Sequence, residues 1–491
     1  MSFSSTIFYL FFILVVIIHY LLPKKYRWVV LLVASYIFCV SADVKFGLLL
    51  LVSTTISYFA GLWIDQAQDR KIKKRFMLLG VIANTALLFV FKYLDFFFAS
   101  VSSALAAAGF DWSFRGLELL LPLGISFYTF QTISYILDVY NGVVLPEKNF
   151  GRYALYVSFF PKLVSGPIER AGHLLPQLYE PAPFEYQKFV DSLVRIGWGL
   201  FKKLVIADRL AVVANTYFAD PASFYAPQAV LAVLFYSFQV YIDFAAYCDI
   251  AIGTARILGI DLVENFDHPY FAKSVTEFWR RWHISLSNWL RDYIFIPLNF
   301  ATRRKRSAFY QYRNILIVFL VSGIWHGANW TFIVWGVLHG LYQVFEAATQ
   351  KLRNQWIKKL NLDRNSFSHQ LFQILLTFAL VSFAWVFFRA ASIREAFTIL
   401  YSIVSAHGVT AEVGWAFTEL GLNSLEIGVA VHALGIVFMV ELLQQKHNLL
   451  QSLNRQPLVF RWAVYLVLIF SIIIFGFYHT YQPEDFIYFQ F

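Results

Sequence analysis

Charge is scarce in this chain of 491 residues: Asp, Glu, Lys and Arg together make 14%, while 59% of the residues are hydrophobic and 19% aromatic. A soluble globular protein carries about 25% charge, and with a mean hydropathy of +0.59 the apolar surplus here is too large for one aqueous core. Cysteine is nearly absent. Cys39 and Cys248 both lie in apolar stretches, which excludes a disulfide framework or zinc spacing and leaves two thiols acting as small hydrophobes. No P-loop, HExxH, GxSxG elbow or glycine-rich dinucleotide turn occurs in a suitable context, so nucleotide-driven, zinc and serine-hydrolase chemistries have no support and no metal site is expected. There is no basic domain either. The 40 Lys and Arg exceed 30 acidic residues, a net charge of +10, but the excess sits in short loops, where it reports topology and not nucleic-acid binding. Without internal repeats or low-complexity tracts, the simplest organisation is a single helical domain over 1–491.

What the sequence has in abundance is apolar runs near the length that crosses a bilayer as helix. They fall near 7–22, 28–42, 46–63, 77–92, 118–137, 228–256, 313–347, 371–388, 425–441 and 462–478, with ambiguous stretches between. The expected fold is an all-α integral membrane protein with about eleven crossings. The first run lacks a basic start and is followed by Pro23, Lys24 and Lys25, so it reads as a retained span and not a cleaved signal. Lys24, Lys25 and Arg27, then Arg70, Lys71, Lys73, Lys74 and Arg75, place those loops in the cytoplasm and the N-terminus outside. Arg455 and Arg461 before the last run, with Glu484 and Asp485 after it, place the C-terminus outside as well. Two outside ends require an even number of crossings, so the count of eleven and these assignments conflict by one. Segment 159–177 combines Pro161, Gly166, Pro167 and Pro176 with Lys162, Glu169 and Arg170. It is expected to be re-entrant or interfacial, because broken backbone at membrane depth needs protein or a wet cavity around it.

Two stretches concentrate polar chemistry. The first is FWRRWHISLSNWLRDYIFIPL, residues 278–298. Read as one helix, Trp279, Trp282, His283, Leu286, Leu290 and Tyr293 share a face, with Arg280, Arg281, Asn288, Arg291 and Asp292 opposite. Among tryptophans, His283 is expected to be desolvated and neutral, as a base or hydrogen-bonding partner must be. The alternative is an interfacial amphipathic helix whose arginines reach phosphates. The second is SGIWHGANW, residues 322–330. Gly323 and Gly327 flank Trp325 and His326 and let a backbone or substrate approach the ring. An ionisable group at membrane depth is a functional candidate by default, against the alternative of a histidine bonded to a neighbouring helix's carbonyl. His339 lies about 220° further round an unbroken helix and ranks below His326. His19, His173, His268, His369, His407, His432, His447 and His479 have no helpful neighbourhood. A buried neutral imidazole can take the proton from a hydroxyl as it attacks an activated carbonyl, typically worth roughly 10²–10⁴-fold.

These residues resemble the membrane-bound O-acyltransferase family, and within it the bacterial branch that includes alginate O-acetyltransferase and the D-alanyl-transfer protein of teichoic acid synthesis. The matching stretches are PLGISFYTFQTISYILDVY at 122–140, FFPKLVSGPIER at 159–170, GLFKKLVIADRL at 199–210, QVYIDFAAYCDIAIG at 239–253, NFDHPYFAKSVTEFWRRWHISLSNWLRDYIFIPL at 265–298, SGIWHGANW at 322–330 and FAWVFFRA at 383–390. The resemblance implies helices around a central tunnel, with core motifs at 120–390. It makes His326 the essential catalytic residue and His283 its partner, with Trp279, Trp282, Asn288, Trp325 and Asn329 along the tunnel. Lys202, Lys203, Arg303, Arg304, Lys305 and Arg306 would receive an anionic donor such as acetyl-CoA from the cytoplasm; the alternative is ordinary positive-inside charge. The terminal FIYFQF at 486–491 resembles an FxYxxF motif in which the tyrosine, here Tyr488 in an extracytoplasmic tail of 480–491, accepts the acyl group. The alternative is an aromatic anchor at headgroup level. Two departures, DFAAYCD at 243–249 for DFSGYSD and IPLNF at 296–300 for IPLGG, leave the histidines untouched and bear on fine specificity.

The function expected from residues and resemblance together is O-acetylation of an extracytoplasmic polysaccharide (alginate-like, peptidoglycan or another envelope glycan). The enzyme would sit in the bacterial cytoplasmic (inner) membrane in contact with membrane lipid, use acetyl-CoA as donor with no bound cofactor, and act with an extracytoplasmic SGNH-type acetyltransferase. D-alanyl or longer-chain acyl transfer is the enzymatic alternative. A transporter of acyl donor or polysaccharide, with the histidines in a polar pathway, is the alternative from another class.

Overall fold

The computed structural model describes all residues except 2, 111, 113, 115, 118, 303–306, 406–418 and 479–491. Arg303, Arg304, Lys305, Arg306 and Tyr488 therefore lie outside the described residues. Among the described residues all regular structure is helical, as hydrocarbon requires when no water is present to satisfy backbone N–H and C=O groups. The chain divides into two compact units, Met1–Leu193 with Ile250–Val263, and Val194–Asp249 with Glu264–Phe491.

The first unit holds α1 (Thr6–Leu21), α2 (Lys24–Val40), α3 (Val44–Gln66), α4 (Arg70–Leu88), α5 (Ile125–Tyr140), α6 (Phe150–Ser158) and α7 (Ala171–Tyr179). Ser5, Asp43 and Asp69 start α1, α3 and α4 by accepting from Phe8 N, Lys45 N and Lys71 N, which satisfies backbone donors that a helix leaves open at its N-terminus. Small residues let α3, α4 and α5 approach closely: a Cβ on Gly61 would stand 2.8 Å from the Tyr135 ring, and one on Gly80 would stand 2.7 Å from the Ala60 methyl. At that seam the buried Asn84 accepts from Ser53 Oγ at 2.6 Å and donates to Gly80 O at 2.9 Å. Residues 159–169 run as non-helical backbone, all of it buried. Gln131 ties this segment down by donating to Tyr156 O at 2.7 Å and accepting from Lys162 Nζ at 2.5 Å. The proline-rich stretch is thus broken backbone enclosed in protein, the condition under which it is tolerated.

The helices α8 (Tyr186–Leu200) and α10 (Ala226–Ile257) contribute residues to both units. The second unit adds α9 (Asp208–Ala219), α11 (Val275–Arg281), α12 (Ile284–Leu290), α13 (Ala308–His326), α14 (Trp330–Lys359), α15 (Phe367–Arg389), α16 (Ser424–Gln444) and α17 (Leu458–Phe475). Among the described residues six helices are long and apolar enough to cross a membrane: Val44–Gln66, Arg70–Ala107, Ala226–Ile257, Phe367–Arg389, Ser424–Gln444 and Leu458–Phe475; Thr6–Leu21 is a shorter apolar helix. The described residues do not confirm the expected count of eleven. α1 and α5 have only 16 residues each, and the apolar stretch 313–347 is two helices, not one.

That stretch breaks at Gly327, which is extended at φ −163°, and restarts where Asn329 caps α14 by accepting from Thr331 N. The two helices then pack at backbone distance: a Cβ on Gly323 would lie 2.4 Å from Phe332 O, and one on Gly336 would lie 2.3 Å from Phe319 O. The single amphipathic helix expected over 278–298 is also broken. α11 ends at Arg281, Trp282 is extended, and His283 turns the chain in the left-handed region at φ 44° before α12 begins. Strand-like backbone bonds hold the break open, Asp267 N to Arg281 O and Ile284 N to Asn265 O, both at 2.9 Å.

Candidate active site

The break at His283 and the break after His326 put two imidazoles into one aromatic cage of the second unit. Their ring centroids are 6.5 Å apart, with Trp325 5.9 Å from His283 and 4.9 Å from His326. Phe244 closes on His283 at 4.9 Å, and Trp335 and Phe388 close on His326 at 4.9 and 5.2 Å. His283 is fully buried and His326 is 3% exposed.

Asn265 sets the chemistry of His283. Its Oδ1 lies 3.2 Å from His283 Nδ1 and also accepts from Ser285 N at 3.1 Å and Ser285 Oγ at 2.9 Å, while its Nδ2 donates to Cys248 Sγ at 3.4 Å. Facing an amide oxygen, Nδ1 must carry the proton, which makes Nε2 the acceptor nitrogen. Burial pushes the His283 imidazole down, to about 3, so the ring, which stands in a turn outside the membrane-crossing helices, is neutral at physiological pH, as expected from its tryptophan neighbours.

A second layer of aromatics backs the cage. Trp335 stacks on Trp385 at 5.8 Å and meets Trp279 at 5.7 Å, and Trp282 meets Trp385 at 5.2 Å. His339 joins this layer: it is fully buried, 4.9 Å ring to ring from Trp335, and accepts at Nδ1 from Trp279 Nε1 at 3.2 Å. Its low ranking rested on an unbroken helix through His326, and the break at Gly327 removes that premise. Asn329 followed by an apolar run is the helix-start signal that marks the break.

Outside Trp279 opens a cavity of about 1240 Å³ whose lining includes Trp279, Arg280, Arg281, Asn288, Arg291 and Arg353. Arg281 pairs with Glu277 at 2.7 Å and Arg291 with Asp292 at 2.9 Å, and Arg353 donates to Glu346 O at 2.7 Å. Trp279 and Trp335 stand between this vestibule and His326.

The expected tunnel residues thus divide. Trp325 belongs to the cage, Trp282 to the aromatic layer behind it, and Trp279 and Asn288 line the vestibule. Asn329 is a helix cap, its Oδ1 accepting from Thr331 N and its Nδ2 donating to Ala391 O at 2.9 Å, so its amide is committed to backbone. Lys202 and Lys203 are likewise occupied: Lys202 pairs with Asp249 at 2.6 Å, and Lys203 with Asp208 and Asp243 at 2.9 and 2.8 Å. Asp249 also pairs with Arg195. These buried lysines are paired with carboxylates inside the helical packing. Among the described residues no cluster of His, Cys, Asp and Glu is arranged to hold a metal ion.

The described site is thus a pair of buried histidines in an aromatic cage of a helical membrane protein, with an arginine-lined vestibule on the far side of Trp279. Residues 147–393 match the membrane-bound O-acyltransferase family, and the chain belongs to that family; it is an O-acyltransferase. Among its relatives, a probable alginate O-acetylase of Azotobacter vinelandii is 37% identical over 444 residues, 89% of this chain and 84% of the relative. The peptidoglycan O-acetyltransferase of Helicobacter pylori is 38% identical over 422 residues, 79% of this chain and 75% of the relative. The teichoic acid D-alanyltransferase of Bacillus subtilis is 29% identical over 287 residues, 55% of this chain and 69% of the relative.

Proposed function

We propose that this chain moves acetyl groups from a cytoplasmic thioester, acetyl-CoA, across the membrane for O-acetylation of an extracytoplasmic polysaccharide. The observation that carries the mechanism is the pair of imidazoles 6.5 Å apart in a cage of tryptophans. His326 acts as general base on the incoming hydroxyl. His283, with Nε2 as its acceptor nitrogen, orients the reacting groups. The arginines of the vestibule suit the phosphates of the donor, since guanidinium forks match phosphate oxygens. Relatives that acetylate alginate or peptidoglycan align over most of this chain, whereas the D-alanyltransferase aligns over 55% of it; that contrast favours acetyl over D-alanyl transfer. The reading includes Tyr488 as a covalent relay in an extracytoplasmic tail, and an SGNH-type partner that completes transfer to the glycan.

Two measurements test it. In proteoliposomes given labelled acetyl-CoA, His326→Ala should abolish acetyl transfer while the protein remains folded and inserted; unchanged transfer would overturn the assignment. Labelled acetyl should be retained on wild type and absent from Tyr488→Phe. Equal labelling of both would remove the relay.

A further inference from the structure

Acyl transfer needs more than a base. As the hydroxyl oxygen attacks, the carbonyl oxygen gathers negative charge, and preorganised donors aimed at that oxygen are usually the largest catalytic contribution. The histidine pair supplies none by the roles given above, so the donor must come from elsewhere in the cage.

Trp335 is fully buried, and its indole Nε1 has no hydrogen-bond partner among the described residues. An indole N–H can only donate, and a buried donor without an acceptor is costly and uncommon in native proteins. This one belongs to the ring that packs edge-to-face against His326 at 4.9 Å. His339 repeats the pattern beside it. Its Nδ1 accepts from Trp279, so in the neutral ring the proton resides on Nε2, and Nε2 too has no partner among the described residues. Two dry N–H donors thus stand on rings 4.9 Å apart, the nearer of which, Trp335, packs against His326.

Resting on the acyl-transfer reading, we propose that the Trp335 Nε1–H binds the carbonyl oxygen of the acyl group and stabilises it as an oxyanion, with the His339 Nε2–H as second donor. The acceptor oxygen forms its bond to the carbonyl carbon while its proton passes to His326. The carbonyl π pair moves onto the oxygen facing Trp335. When that pair returns, the C–S bond breaks and the leaving thiolate takes the proton from His326. No other reactant is required. The aromatic layer then has a chemical reason to be tryptophan and histidine, since an aromatic without an N–H would pack there without a donor.

The test replaces one atom group. In proteoliposomes with acetyl-CoA, Trp335 is exchanged for 3-benzothienylalanine, which keeps the bicyclic shape and puts sulfur where the N–H was, and in parallel for Phe. Loss of a single oxyanion donor lowers kcat on the order of 10²-fold. The expected result is a fall of that order with KM for acetyl-CoA and the pH profile of kcat unchanged. His339→Gln, which keeps an N–H donor, should retain more activity than His339→Leu. If the benzothienyl variant turns over like wild type, the inference is overturned, and a lowered melting temperature with unchanged kcat would instead assign the N–H to a structural water. If wild type itself moves no acetyl, the acyl-transfer reading fails and takes this inference with it.

Discussion

Replacing Asn265 with Ala would remove the oxygen on which the His283 turn depends. That Oδ1 serves His283 Nδ1, Ser285 N and Ser285 Oγ within 2.9–3.2 Å. The serine hydroxyl can rotate to another acceptor, but the imidazole and amide N–H groups are fixed. Each buried donor left unpaired costs about 1–3 kcal/mol, so two of them cost about 2–6 kcal/mol. The left-handed backbone at His283, about 1–2 kcal/mol above a right-handed one for a residue with a Cβ, loses its restraint at the same time. Catalysis should suffer separately from stability. Without its acceptor, Nδ1 no longer holds the proton, and the ring is free to exchange tautomers and tilt. A catalytic group displaced by about 1 Å loses about 10²-fold, so acetyl transfer per folded molecule should fall by about 10–10²-fold. The assay is labelled acetyl transfer in proteoliposomes, normalised to the monodisperse fraction, alongside thermal melting. A variant that melts and turns over like wild type would refute the claim that this oxygen positions His283.

Three further outcomes follow from the same geometry. The folded His283 titrates near 3 and the unfolded one near 6.5, so its contribution to stability is complete above 6.5 and is lost as pH falls towards 3. Denaturation curves should show wild type losing about 1.4 kcal/mol per pH unit in that window from this group, and His283→Gln should flatten the slope; equal slopes would contradict a neutral buried ring. Lys202→Met leaves Asp249 with only Arg195 for charge compensation, and breaking a buried pair costs about 3–5 kcal/mol, so the melting temperature should fall while KM for acetyl-CoA holds. A selective rise in KM would instead support a donor-binding role. Gly336→Ala drives a methyl into Phe319 O and should cost at least the 1–3 kcal/mol typical of overpacking, read as loss of monodisperse protein; a normally folded variant would show that the helices can separate there.

Much of this was legible in the sequence, and the failures share one cause. Scarce charge and repeated apolar runs led to a helical membrane protein, and the two histidine motifs led to rings that do meet. Periodicity, however, assumes helices that continue. It cannot register that His283 adopts a left-handed turn, a conformation a residue other than glycine takes only when its surroundings hold it there, and here the holding residue, Asn265, is 18 positions away. The same assumption underlay the angle given to His339, which the break at Gly327 changes. Lys202 looks like a free cation in sequence because its partner Asp249 lies 47 positions downstream, and Lys203 is read the same way although one of its two partners, Asp208, is only five positions on. Asn329 illustrates the reverse: a polar residue beside the His326 motif whose amide starts a helix and ties down the backbone at Ala391.

The glycine contacts between α13 and α14 bear on how such an enzyme changes its cargo. Because carbonyl oxygens and alpha carbons meet there directly, the spacing of His326 from Trp335 and His339 is dictated by main chain, with no side chain acting as a spacer. On the proposed function, substitutions along the vestibule would change which acyl group or recipient is admitted while the histidine centre keeps its registration. Divergence in specificity and constancy of chemistry become separable traits, each written on a different layer of the same protein.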